Sequence, residues 1–268
     1  MIIDSHVHFG KSLGFTMTKK DVLCAMEKYG VSKIIVSNAA AVEFNEKHEP
    51  LLEKENTLML DVAKETIDFA KDNPDSVYAA IWVKPHTELL TGKFEYLLKI
   101  HLKYVKALKF HPFYSALSFD NPLTEPYIEL AESLDLPVIV HTASDEFSLC
   151  KNVYKMAKKY PHVRFVMAHL GLGTDNSEAI DFCAELPNLF GDTAWVPAEK
   201  AEEFVKKAGS KKLMFGSDMP IDGIDTYAKN RNGERSMYQD YFENLEKSIG
   251  TNDFENIMFK NAQQFYKL

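Results

Sequence analysis

The chain has 268 residues, 39 acidic against 31 basic, and a formal net charge of −8. With 46% hydrophobic and 26% charged residues and no basic run interleaved with aromatics, it reads as a globular protein whose partner is a small molecule. That balance excludes nucleic acid and anionic membrane surfaces. The cysteines Cys24, Cys150 and Cys183 are far apart and lack C-x-x-C spacing, which argues against a disulfide framework and fits a reducing cytoplasm. The opening MIIDSHVH has no basic or apolar leader pattern, and no apolar run reaches the roughly eighteen residues of a membrane span.

Short apolar runs alternate with helical patterns along the whole chain. MIID is the first run. TKKDVLCAMEKYG follows as a helix, with Thr18 and Asp21 forming a capping-box-like start and Gly30 a stop. SKIIVSN is the second strand, and TLMLDVAKETIDFAKDNP the second helix, ended by Pro74. VYAAIWVKP, VKALKFHP, LPVIVHTA, VRFVMAHLG, NLFGDTAW and KLMFGSD complete a set of eight strands. Helical segments are expected around 93–103, 125–134, 147–159, 176–185, 198–208 and 236–249. Apolar strands separated by helices indicate parallel βαβ units, and eight of them predict a single (β/α)8 TIM barrel over residues 1–268. No nucleotide-binding glycine pattern follows any strand. Two long loops, NAAAVEFNEKHEPLLEKEN after the second strand and MPIDGIDTYAKNRNGERSM after the eighth, are expected at the carboxyl ends of the strands, where barrel enzymes build their sites.

Ionisable residues gather at those same ends. His6 and His8 lie on the first strand, Lys109 and His111 end the fourth, His141 ends the fifth, His169 the sixth and Asp218 the eighth. Residues two apart on a strand share a face, with Cα atoms about 6.6 Å apart, so His6 and His8 can converge on one ion. Charged or imidazole side chains facing a packed interior are costly unless paired or bound to metal. Three imidazoles and a carboxylate suit zinc or a similar divalent ion.

The set H-x-H, His, His, Asp at the ends of strands one, five, six and eight resembles the metal-dependent amidohydrolase superfamily. The words IDSHVH, AHLGLG and FGSDMP are similar to its amidohydrolase-related branch, which includes aminocarboxymuconate-semialdehyde decarboxylase-like enzymes. The closing NIMFKNAQQFYKL is similar to the helix that often ends such barrels. The resemblance implies His6, His8, His141 and Asp218 as metal ligands, with Asp218 also a base. It implies His169 as either a ligand of a second ion or a general acid/base. Two-metal relatives often place a carboxylated lysine or a glutamate on strand four. Lys109 stands there without an acid beside it, so one ion per chain, zinc or another divalent metal, is expected. The implied activity is hydrolysis of an amide, ester or lactone of a small molecule, the alternative being non-oxidative decarboxylation of an unsaturated or aromatic acid.

The supporting residues have competing readings. Asp4 shares the parity of His6 and His8, and either orients an imidazole or satisfies a buried backbone group. Lys109, His111, Trp195 and Arg231 are candidate substrate contacts. For Arg231 and Arg235 the rival is a solvated loop, and for Trp195 plain packing. Asp192 is expected to make structural hydrogen bonds. Lys84 and His86 are expected in solvent, and His48, His101 and His162 on the surface. A homodimer is an admissible assembly.

Overall fold

The computed structural model describes residues 1–268, Phe15 by its backbone alone. The expected strands form as β1 (Ile3–Ser12), β3 (Lys33–Asn38), β4 (Val77–Trp82), β5 (Val105–Phe110), β6 (Val138–Ala143), β7 (Phe165–Leu172), β8 (Leu189–Asp192) and β9 (Leu213–Met214), with a short β2 (Phe15–Met17) added after the first. Between them run α1 (Lys19–Tyr29), α2 (Met59–Asp72), α3 (Gly92–Ile100), α4 (Pro112–Ser115), α5 (Glu125–Ser133), α6 (Cys150–Lys159), α7 (Ser177–Glu185) and α8 (Ala198–Ala208). The signals read for α1 act as expected. Thr18 Oγ1 accepts the Asp21 N–H, the Asp21 carboxylate accepts the Thr18 N–H, and Gly30 stops the helix in the left-handed region at φ 68°.

The strands make one curled, nine-stranded sheet in the order β2-β1-β3-β4-β5-β6-β7-β8-β9, parallel throughout except for β2. The segment after β9 returns to β1. Ser5 N–H donates to Phe215 O (2.8 Å), His8 N–H to Met219 O (2.7 Å) and Asp218 N–H to His6 O (2.9 Å). The first strand is longer than the sequence suggested. It runs on to Ser12, turns through Leu13 and Gly14, both at positive φ, and pairs with β2 as an antiparallel hairpin.

Two apolar layers hold this sheet. Outside it, strand residues such as Val36, Ile81, Leu108, Val140 and Met167 pack against Phe69, Leu98, Ile128, Val153 and Phe204 of the helices. Inside, Ile3, Ile35, Ala107, Ile139, Val166 and Met214 meet Ala262, Phe265 and Tyr266. The last helix therefore fills the amino ends of the strands and leaves the carboxyl ends to polar residues. No helix among the described residues is long and apolar enough to cross a membrane.

The loop after β3 is tied down by buried polar groups. Lys84, expected in solvent, is 0% exposed. Its Nζ donates to Asn56 Oδ1 (2.5 Å) and Thr57 O (2.9 Å) and lies 3.4 Å from Glu88 Oε1. A buried ammonium is tolerable because those oxygens replace its water. His86 is exposed, as expected. Glu43 accepts the Thr87 N–H (2.7 Å) and hydroxyl (2.7 Å). His48, expected on the surface, is half-buried between the rings of Phe113 (4.7 Å) and Phe147 (4.9 Å). The loop thus lies across the carboxyl ends of β5 and β6.

The inner plug gives a direct test. Phe265→Ala is expected to destabilise the fold by about 3–5 kcal/mol, because it opens a cavity that only a shifted terminal helix can fill. Urea unfolding followed by circular dichroism measures it.

Candidate metal centre and active site

The first strand carries an irregularity that decides which residues face the centre. Asp4 pairs opposite Ile34 and Val7 opposite Val36, so β1 advances three residues while β3 advances two. One extra residue is accommodated around Ser5 and His6, as in a β-bulge. His6 and His8 still converge, with Nε2 atoms 3.2 and 3.0 Å from Asp218 Oδ1. Asp4 does not join them. Its carboxylate accepts the backbone N–H groups of His6 (3.0 Å) and Ser217 (3.1 Å) and the hydroxyls of Ser217 (2.5 Å) and Tyr227 (2.6 Å). Of its two readings, the buried-backbone one describes it.

Asp218, His169 and Trp195 all adopt positive φ, at 56°, 68° and 59°. Such backbone is uncommon for residues with side chains and costs on the order of 1–3 kcal/mol each, so surrounding contacts must hold it. Those contacts are visible. Asp218 is pinned by its N–H on His6 O and by the Trp195 indole N–H on Oδ2 (2.9 Å). The His169 N–H donates to Asp192 Oδ1 at 2.9 Å.

Asp192 sits beneath the centre and takes three donors: His6 Nδ1 (2.8 Å), the His169 N–H and the Ala194 N–H (3.1 Å). Burial alone would raise its carboxyl. The His6 imidazole and the backbone donors outweigh that and leave it below the usual carboxylate range. The same contacts assign protons on the rings. A carboxylate and a carbonyl only accept, so His6 Nδ1 facing Asp192 and His169 Nδ1 facing Ala194 O (3.1 Å) must carry hydrogen. Their Nε2 atoms then carry the lone pairs on the side of the centre, where His6 Nε2 meets Lys109 Nζ at 3.0 Å. His8 Nδ1 meets Ser37 Oγ at 2.9 Å, a partner able to donate or accept.

Burial works against a charge on these rings, while Asp192 and Asp218 favour it. Burial lowers the His6, His8 and His141 imidazoles and brings His169 down to about 4. Burial pushes against ionisation of Asp218, but His6, His8 and His169 outweigh it and hold that carboxyl well below its ordinary value. Lys109, 1% exposed with Nζ 3.0 Å from His6 Nε2, is pushed down to about 8 by burial despite Asp218 and Asp192.

Donor atoms of His6, His169 and Asp218 lie within 4.8 Å of one another. Two neutral imidazoles and a carboxylate, backed by fixed hydrogen-bond partners, are a donor set that fits a borderline divalent cation. His8 adjoins through Asp218, and the His141 ring lies 4.8 Å from His169. Above them is a cavity of about 340 Å³, lined by His8, Lys109, His111, His141, His169, Asp218 and Arg231 with Trp82, Tyr114, Glu46 and Ile221. A larger groove of about 960 Å³ runs beside the β1–β2 hairpin, but none of the imidazoles or Asp218 lines it.

Among the candidate substrate contacts, Lys109, His111 and Arg231 line the cavity over Asp218. Trp195 does not line it and reaches the centre through Asp218 instead. Arg235 pairs with Asp240 (3.0 Å) and Glu243 (2.8 Å) at the surface. Ser37, Trp82 and Tyr114 were not singled out from the sequence. Ser37 is the last residue but one of an ordinary apolar strand, Trp82 ends another, and Tyr114 stands two residues after Pro112, so none carries a pattern pointing to a site.

A family model described as Amidohydrolase matches residues 3–268. No curated protein matches the chain. Among solved structures, a dihydroxybenzoic acid decarboxylase from Polaromonas sp. JS666, with bound manganese and the inhibitor 2-nitroresorcinol, has TM-score 0.69 and 16% identity. It covers 100% of this chain and 97% of its own. A 5-carboxyvanillate decarboxylase from Novosphingobium aromaticivorans, also with manganese, has TM-score 0.72 and 12% identity over 100% and 97%. A probable 2-pyrone-4,6-dicarboxylic acid hydrolase from Acinetobacter baumannii, with citric acid bound, has TM-score 0.67 and 13% identity over 100% and 99%. At these identities the likeness is one of fold.

Asp192→Asn keeps an oxygen for the His169 and Ala194 N–H groups and so turns its NH2, a donor, towards His6 Nδ1, removing the acceptor that fixes that ring. Affinity for a divalent ion is expected to fall about 10- to 100-fold, measured by competition with a chromophoric chelator.

Proposed function

Because the chain belongs to the amidohydrolase family, we propose that it is a metal-dependent decarboxylase of a small aromatic or unsaturated carboxylic acid. The observation that carries this reading is the make-up of the cavity over Asp218 and His169. It combines a flat aromatic wall, Trp82, His111 and Tyr114, with two cationic side chains, Lys109 and Arg231. Flat rings pack against a flat acid, and a guanidinium at the rim pairs with a carboxylate in bidentate fashion. Structures of similar fold named as decarboxylases hold aromatic acids or their analogues, which supports the same assignment.

The fold assignment under this reading is a closed (β/α)8 barrel, supported by the hydrogen bonds from the segment after β9 back to β1 and by the bridge Val7–Met219. His6, His8, His141 and Asp218 would hold one divalent ion, with His169 beside it as acid or base. Zinc is the expectation from the donors, and manganese in similar folds makes it the other ion to test. When bound, such an ion supplies a fixed positive charge that neutralises the substrate's anionic oxygens and acidifies water. The chain's residues then orient and move a proton. Arg231 and Lys109 hold the acid's oxygens. Asp218, a carboxylate at neutral pH, takes a proton from water or from a hydroxyl of the substrate and delivers it to the carbon bearing the carboxylate. The bond from that carbon to the carboxylate then breaks, its electron pair returns to the π system, and carbon dioxide leaves. Trp195 on Oδ2 leaves Asp218 Oδ1 turned towards the imidazoles. Hydrolysis, the first expectation from the sequence, would draw on the same groups. It gives no particular use to an arginine at the rim.

Protein loaded with zinc or manganese and given 2,6-dihydroxybenzoate or a related ring acid is expected to release one carbon dioxide per acid consumed. Consumption without carbon dioxide, or cleavage of an ester or amide panel alone, overturns the reading. Asp218→Asn is expected to lower kcat by about 10²- to 10⁴-fold. Arg231→Gln should act differently, raising KM about tenfold or more with a smaller change in kcat, because a rim contact serves binding more than proton transfer.

A further inference from the structure

We propose that His111 is a hydrogen-bond donor to an oxygen of the bound acid, held in that role by the turn it caps. The inference rests on the acid reading above and deepens it. His111 follows β5 and opens α4, where its Nδ1 accepts the backbone N–H of Tyr114 at 3.4 Å. A backbone amide donates and does not accept through nitrogen, so Nδ1 must present its lone pair and the ring proton must be on Nε2. This tautomer is opposite to that of His6 and His169, whose Nδ1 atoms donate to Asp192 and Ala194 O. Two kinds of imidazole therefore face one cavity. His169 turns a lone pair to it, as an ion requires, while His111 turns an N–H.

The ring cannot easily turn to exchange the two nitrogens. It is stacked between Trp82 (centroids 5.1 Å, planes 9° apart) and His141 (3.8 Å, 12°). Its Nε2 has no hydrogen-bond partner among the described residues, and it is not among the sealed polar atoms without one. The remaining exposure of the residue, 9%, is therefore consistent with an opening to the cavity it lines. His111 would then make a third donor beside Lys109 and Arg231, suited to a ligand that carries several oxygens on one flat frame. As a ligand to a cation it would have to give up the Tyr114 bond.

Two measurements test this on the full-length, metal-loaded protein. The ¹⁵N spectrum of histidine-labelled protein should show His111 protonated at Nε2. Binding of 2-hydroxybenzoate, followed by calorimetry, should weaken about tenfold or more in His111→Phe, which keeps a flat ring in the stack but has no donor. His111→Gln, whose amide nitrogen reaches the Nε2 position, should bind within about threefold of the unaltered protein. A proton on Nδ1, or undiminished binding by His111→Phe, overturns this inference and leaves the acid reading standing. Failure of the unaltered protein to bind 2-hydroxybenzoate or any other ring acid overturns both. If His111→Phe does not fold, the ¹⁵N spectrum and His111→Gln decide, a loss of binding in the glutamine variant counting against the proposal.

Discussion

The site depends on a carboxylate that never meets the solvent. Asp192 is buried, and a lone carboxylate there would be prohibitively costly. It is stable because three donors converge on it, two from backbone and one from His6. The arrangement couples sites far apart in the chain: β8 supplies the acceptor, β1 the imidazole, and β7 an amide. With Asp192 satisfied, His6 has one choice of tautomer, and His169 has its backbone fixed in a conformation it would not otherwise adopt. A donor set with lone pairs facing inward follows from hydrogen bonding that can be counted, without an ion being invoked to organise it.

Three of the residues with left-handed backbone stand where the chemistry is. His169, near the end of β7, and Trp195 and Asp218, three and four residues past β8 and β9, each adopt a left-handed conformation. A strand alternates its side chains, so a residue continuing it would point either into the closed interior or out into the helices. A left-handed residue turns the chain sharply and leaves its side chain at the rim of the strand end. Trp195 shows why this is worth having. Its indole N–H takes Asp218 Oδ2 and leaves Oδ1 facing the imidazoles, so one turn positions the reactive group of another.

Much of this was legible in the sequence, because period and chemistry coincide there. Parallel strands buried on both faces are continuous apolar runs, so a His or Asp at the end of such a run is conspicuous. His6, His8, His169 and Asp218 are brought together as that pattern suggested, and helix α1 begins and ends where its capping residues place it. What was left open or missed has physical causes. Parity along β1 left Asp4 two readings, and the extra residue at Ser5–His6 goes with the one in which its carboxylate serves backbone N–H groups. Lys84 looked solvated because Pro85 makes the end of its strand irregular. Its partners Asn56 and Thr57 lie in a loop about 30 residues earlier, with no periodicity to announce them. Trp195 suggested a pocket wall because aromatics usually serve for their area, whereas here the N–H is what the site uses.

The division between the two ends of the sheet explains how so polar a centre is sustained. Six ionisable side chains, His6, His8, Lys109, His169, Asp192 and Asp218, are buried above an interior layer of aliphatic residues. Paired groups such as these contribute little net stability once their desolvation is counted. The fold must draw its stability elsewhere: from the helix–sheet layer outside, and from Phe265 and Tyr266 closing the amino ends. The carboxyl ends are then free to carry strain, unequal tautomers and a loop clamped by Lys84 and Glu43. Clamping that loop matters for the same reason. Val42 and Glu46 form part of the cavity wall, and a wall on an untethered loop would admit water where a proton must reach carbon. Buried ionic groups outside the centre thus serve the chemistry at one remove, by holding still the surface against which an acid would lie.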